Sequence, residues 1–147
     1  MNAPTHQKRY LHPSDEIVKT FAAKTFQGAF VMLHLVLFRD IADYSADPEL
    51  APEEPISGRE AYARYVEHTL PYLEASGGEI LFIGEGGPFL IGPGHERWDR
   101  IALINHRTFE DFIAFATNED YLKGIGHRSA ALLDSRLLPI ENLRQQN

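Results

Sequence analysis

The run Gly28-Ala-Phe-Val-Met-Leu-His-Leu-Val-Leu-Phe38 is apolar in both alternating phases, and His34 alone interrupts it. A strand with that pattern is central and covered on both faces. One face carries Val31, Leu33, Leu35 and Leu37; the other carries Phe30, Met32, His34, Val36 and Phe38. If helices cover one side of an antiparallel sheet, the second face meets water. Its apolarity therefore asks for a second layer, which another copy of the chain would supply. The run is also far short of the roughly 20 residues a membrane-spanning helix needs.

The remaining pattern places this strand in an order of elements. Ser14 with Asp15 and Glu16 caps a short helix whose apolar positions are Ile17, Val18, Phe21 and Ala22. After the first strand, residues 40–56 read as an acidic loop in which prolines discourage both helix and central strand. Ser57 and Glu60 have the spacing of a capping box. The helix they open buries Tyr62, Val66, Leu70 and Leu73, bends at Pro71 and stops at Gly77-Gly78. A strand over 79–83, a Gly/Pro-rich connection over 84–94 and a strand over 97–106 then form a hairpin. Thr108 with Asp111 opens a short helix, and Asn118 restarts helix through Leu122, Ile125, Ser129 and Leu132, weakened by Gly124 and Gly126. A last strand spans 135–141. Strand, helix, strand, strand, helix, strand is the split βαβ order, so the chain is expected to be an α+β protein with the ferredoxin-like βαββαβ antiparallel sheet, pairing into a dimeric α/β barrel. Residues 1–27 are read as an N-terminal extension with a short helix, 28–143 as the ferredoxin-like domain, with the acidic loop of about 40–56 as an insertion, and 144–147 as a tail.

Composition narrows the function classes. A chain of 147 residues with 44% apolar residues can bury one continuous core. The absence of cysteine excludes disulfides, thiolate nucleophiles and thiolate-held metals, and fits a reducing compartment. The net charge of −7 and the scattered basic residues disfavour nucleic-acid binding. Residues 1–8 lack the apolar stretch of a secretory signal, so a cytoplasmic address without membrane attachment is expected. No His-Glu-x-x-His or His-x-x-x-His spacing marks a metal site, and no cofactor is expected. The glycines of 84–87 and 92–94 join two strands rather than a strand to a helix, so they are turns and not a phosphate loop. No G-x-S-x-G surrounds any serine, and Ser57 is accounted for as a cap.

Six residues stand out as candidates for chemistry, with Tyr65 and His68 beside them. His34, an imidazole in an otherwise apolar strand, either serves as a proton acceptor with a pKa pulled down by burial or is a core or interface histidine held by one hydrogen bond. Trp98 and Arg100 share a face of their strand, and with His106 they offer an aromatic wall, a cation and a titratable ring suited to an anionic aromatic ligand. The alternative has Asp99 pairing with Arg100 and Trp98 covering a barrel end. Tyr121 and Arg128, seven positions apart, share a helical face on which Arg128 either binds a carboxylate or bridges to a neighbouring acid. Tyr65 and His68 invite the same two readings, with a half-exposed polar edge as the plainer one.

Tyr65, Pro71, Gly77-Gly78, Trp98-Asp99-Arg100, Phe112, Tyr121 and Arg128 fall in an order that resembles the bacterial domain-of-unknown-function family 1330. The resemblance spans 30–141. It departs from the family pattern in its longer acidic loop and in His106, where a phenylalanine is usual. The resemblance implies a homodimeric α/β barrel. The wider barrel superfamily includes cofactor-free monooxygenases, haem-degrading enzymes, lactone isomerases and binding or assembly members, so fold does not select a function. Two are carried forward: a small cofactor-independent oxygenase or isomerase acting on an aromatic or anionic molecule, and a non-catalytic small-ligand binding or assembly module.

Overall fold

The computed structural model describes residues 9–23 and 26–143. The residues outside it include the first eight, with their basic Lys8, and the expected tail of 144–147. Helix α1 is Asp15–Ala23, and the Ser14 hydroxyl accepts a hydrogen bond from the Ile17 N–H at 3.1 Å, as a cap does. Strand β1 is Phe30–Phe38, β2 is Glu79–Pro88, β3 is Arg97–His106 and β4 is Leu132–Glu141. They form one antiparallel sheet in the order β2-β3-β1-β4. The doubly apolar run is thus a central strand, bonded to β3 on one side and β4 on the other. Helix α2 is Gly58–Ala75; α3 (Phe109–Ala116), α4 (Glu119–Leu122) and α5 (Ile125–Ala131) follow β3. This is the ferredoxin-like α+β fold. Among the described residues, no helix is long and apolar enough to cross a membrane.

The register sorts the side chains of the sheet. Phe30, Met32, His34 and Val36 stand opposite His106, Ile104, Ala102 and Arg100 of β3, and on this side Phe30 meets Phe109 and Phe112 while Phe38 meets Tyr62. The helices therefore cover the face that holds His34. Two apolar clusters build the core there. One joins Val36, Phe38, Ala61, Tyr62, Ala131 and Leu132; the other joins Phe26, Phe30 and Met32, with Phe21, Phe109 and Phe112 against it. Burying an aromatic ring such as Phe30, which is fully enclosed, contributes about 2–3 kcal/mol. On the opposite face Leu103 stands between Leu33 and Phe82, while Phe82, Leu138 and Ile140 are 55%, 55% and 38% exposed. That is the second apolar face that the pattern of β1 requires.

Local chemistry sets the boundaries. The Ser57 hydroxyl accepts from the Glu60 N–H at 3.0 Å to start α2, which runs on through Pro71. Gly77, at φ +86°, takes the left-handed conformation that ends it, and the Gly77 and Gly78 N–H groups return to the carbonyls of Glu74 and Leu73. Gly58 is required by close approach: a Cβ there would lie 2.2 Å from the Arg39 carbonyl oxygen and 2.7 Å from that of Ala131.

Three elements differ from the sequence expectation. Strand β2 continues to Pro88, through glycines that read as a turn, because Gly86 lies where a Cβ would meet the Trp98 carbonyl and the end of Ile101, so only a bare backbone fits the ladder. The helix expected from Asn118 to Leu132 divides into α4 and α5 at Gly124, where the His68 ring occupies the space of a Cβ. Strand β4 starts at Leu132, three residues early, as Phe38 pairs with Leu132 across a bulge that leaves Leu133 of β4 without a cross-strand partner in β1. The acidic loop holds one short 3₁₀ turn, Pro48–Leu50, and is tied to α5 by the bond from the Asp43 N–H to the Ala130 carbonyl.

Candidate functional site

His34 lies between the two apolar clusters, with Met32 on one side and Val36 on the other along β1. Its ring has no hydrogen-bond partner among the described residues, yet the residue keeps part of its surface accessible. Its cross-strand neighbours explain the space. Ala102 presents only a methyl group, and beyond it Ile83 is 51% exposed; on the other side Leu137 is 47% exposed. The cross-strand row through His34 thus ends in half-exposed side chains on both sides, and the partly accessible space beside His34 is the candidate recess.

Four other residues bring polar groups to the same region. Tyr65, Thr69 and Tyr62 come from α2, one turn apart, so the buried stripe of the helix carries hydroxyls as well as carbons. Tyr121 of α4 and Tyr65 share a hydrogen bond of 2.7 Å between their hydroxyls. Thr69 is buried beside Tyr65 and its hydroxyl has no partner in hydrogen-bond geometry. Arg128 of α5 is buried, at 8% exposure. It donates from Nη1 to the Leu11 carbonyl at 2.9 Å and from Nη2 to the Ser135 hydroxyl at 3.2 Å.

Titration reflects this setting. Burial, followed by the positive charge of Arg128 and the proximity of His106, pulls the His34 pKa down to about 3, so the ring is neutral at physiological pH. His106 ends β3 packed among Phe30, Phe112 and Phe115, its Nδ1 enclosed without a partner, and burial lowers its pKa to about 4. Burial pushes the Tyr62 hydroxyl up to about 12 and raises Tyr65 and Tyr121 as well. Arg128 opposes the rise at all three tyrosines. The site therefore offers a neutral imidazole, neutral phenols and one guanidinium.

Of the residues singled out by sequence, the structure brings His34, His106, Tyr121 and Arg128 into this region. Trp98 and Arg100 lie elsewhere on β3. Trp98 is buried under the Arg136 guanidinium, 5.0 Å from its ring centre, and donates from Nε1 to Glu96. Arg100 pairs with Glu85 at 2.9 Å and lies 5.1 Å over the Phe38 ring. Asp99 pairs with Arg97 rather than Arg100. His68 donates from Nε2 to the carbonyls of Asp120 and Tyr121 and so helps fix α4 against α2. Thr69 was not legible as a site residue; its signal is its position one turn after Tyr65 on a stripe otherwise apolar.

Two crystal structures of the RPA0582 protein match this chain over nearly its whole length. Both are 30% identical to it and cover 92% of it; the TM-scores are 0.82 and 0.81, with 96% and 98% of the respective chains covered. The chain belongs to the RPA0582 family. One of the two structures is of the methylated protein, and the other describes it as a protein of unknown function from Rhodopseudomonas palustris. Membership in the RPA0582 family thus carries a fold and no activity. A dimeric protein of unknown function with a ferredoxin-like fold from Bacteroides fragilis is similar at 18% identity and a TM-score of 0.47, over 80% of this chain and 99% of its own. No family model matches the chain, and no curated protein is similar to it.

Proposed function

We propose that the chain is a homodimeric α/β-barrel protein of the kind found in domain-of-unknown-function family 1330, and that the recess between its sheet and helices receives a small aromatic or anionic molecule. The observation that carries this reading is His34: an imidazole deep in the core, neutral, without a hydrogen-bond partner and still accessible. A histidine kept only for packing would be enclosed or bonded. In the catalytic form of the proposal His34 takes a proton from a phenol or an acidic carbon, and the anion left behind lies in the field of Arg128. An isomerase returns that proton to a different atom; an oxygenase passes the electrons to dioxygen as co-reactant. Tyr121 and His106 line the ligand; Arg100, paired with Glu85, and Trp98, covered by Arg136, lie outside the recess. The half-exposed face of Phe82, Leu138 and Ile140 supports the homodimer.

A non-catalytic small-ligand binding or assembly module is the second reading. It is favoured by the absence, among the described residues, of any carboxylate or carbonyl orienting the His34 ring, a partner that a general base ordinarily has.

The test is an NMR titration of the His34 ring, assigned by comparison with His34→Ala, in the presence of phenols and aromatic carboxylates. A depressed pKa that moves when a ligand is added is expected. A ring that neither titrates near the acid range nor responds to any of them would make His34 a packing residue and refute the ligand site.

A further inference from the structure

Among the described arginines, Arg9, Arg39, Arg64 and Arg128 have no carboxylate within ion-pair distance, and of these Arg128 is the buried one. Arg59, Arg97, Arg100, Arg107 and Arg136 each lie within ion-pair distance of a carboxylate. Arg128, more than nine-tenths buried, has no carboxylate within that distance among the described residues; its partners are a backbone carbonyl and a serine hydroxyl. A buried cation without an acid is costly, and folds that keep one compensate it with an anion. The buried carboxylate of Asp134 is linked to Arg128 only through Ser135 and is ion-paired with Arg136. His34, Tyr62, Tyr65 and Tyr121 all respond to Arg128, and no carboxylate acts on any of the four.

The chemistry of the site selects among anions. Guanidinium has five N–H donors, of which Leu11 and Ser135 take one each. The remaining donors suit the two-pronged grip that a carboxylate accepts. A phosphate or a dicarboxylate would bring a second negative charge, and this recess has one cation, with phenols and a neutral imidazole around it. The nearby side chains are largely aromatic: Tyr65 and Tyr121 join at their hydroxyls, and Phe115 lies 4.6 Å from the Tyr121 ring.

We propose that Arg128 anchors a small aromatic monocarboxylate, its carboxylate forked on the guanidinium and its ring held between His34 and the Tyr65–Tyr121 pair. This rests on the reading of the recess as a ligand site and adds the ligand class and the anchoring residue. The enclosed His106 Nδ1 has no partner among the described residues.

The experiment is calorimetric titration of the full chain with benzoate, benzamide, phenol and inorganic phosphate at one ionic strength, repeated with Arg128→Lys and Arg128→Gln. Benzoate is expected to bind wild type at least about tenfold more tightly than benzamide, an isostere without the charge, and to lose that margin in both variants. Benzamide binding, where measurable, should be the same in all three proteins. Equal affinities for benzoate and benzamide in wild type would overturn the assignment of Arg128, and this comparison stands even if a variant does not fold. Binding of phenol or benzamide with no binding of benzoate would overturn the carboxylate class while leaving the ligand site in place. Phosphate binding stronger than benzoate would also overturn it. If none of the four binds, the ligand class and the ligand site fall together.

Discussion

Replacing His34 with glutamine takes a titratable ring out of the helix-side recess and leaves a neutral polar side chain in its place. In the folded chain, burial with the charges of Arg128 and His106 holds the His34 pKa at about 3, against 6.5 for an unperturbed histidine. Between those two values the unfolded chain binds a proton at this residue and the folded chain does not. The stability that the neutral ring contributes is therefore complete above pH 6.5, falls as the pH drops, and levels out only below about pH 3. Each pH unit is worth about 1.4 kcal/mol, so at pH 5 the loss from His34 is about 2 kcal/mol. His106, with a folded pKa of about 4, adds a loss in the same direction, but the variant retains it and it cancels in the comparison. Urea unfolding followed by the fluorescence of Trp98, the single tryptophan and almost fully buried, measures the difference. Between pH 7.5 and pH 5.0, wild type should lose about 2 kcal/mol more than His34→Gln. Equal losses would show that His34 charges in the folded protein as freely as in the unfolded one and would refute the buried, neutral imidazole.

Other expectations follow from particular contacts. Gly58→Ala forces a Cβ against two backbone carbonyls and should cost stability at the upper end of about 1–3 kcal/mol; thermal unfolding by circular dichroism reads it. Asp134 is fully buried and its Oδ1 accepts from the Tyr10 and Ser135 N–H groups and from Arg136 Nη1. Asp134→Ala leaves those donors unmet and should cost about 3–5 kcal/mol in urea unfolding. On the open sheet face, Leu103→Lys or Phe82→Lys should shift the sedimentation of a dimer towards that of a monomer without lowering helix content; sedimentation identical to wild type would place the dimer contact elsewhere.

Signals that act over a few residues were legible in the sequence. The two-sided apolarity of β1 predicted its central place, and Ser57, Thr108 and Asn118 cap α2, α3 and α4 through bonds to N–H groups two or three positions on. The element order then led to the sheet order. What failed was composition read without its partner strand: the glycines of 84–87 look like a turn, yet β3 approaches so closely at Gly86 that a strand there needs them. Gly124 read as a weak point of a helix, whereas the His68 ring from α2 makes it a break. The site divides in the same way. His34 was visible because one imidazole in an apolar strand violates the local pattern. Arg128, Tyr121 and His106 were singled out too, but their grouping with His34 was not legible, since Arg128 comes from α5, far along the chain, and its lack of a carboxylate partner is a property of three-dimensional surroundings. Trp98, Arg100 and His106 share a strand face by parity, but Trp98 and His106 sit eight residues apart, about 26 Å along an extended strand, too far to line one small ligand.

The most direct test of the ligand site is a crystal structure of the protein grown with benzoate at saturating concentration. The account predicts the carboxylate on the Arg128 guanidinium and the ring over His34, with the Leu11 and Ser135 contacts retained. A structure in which the side chains around His34 close on one another, leaving the residue no accessible surface and the recess no ligand, would contradict it.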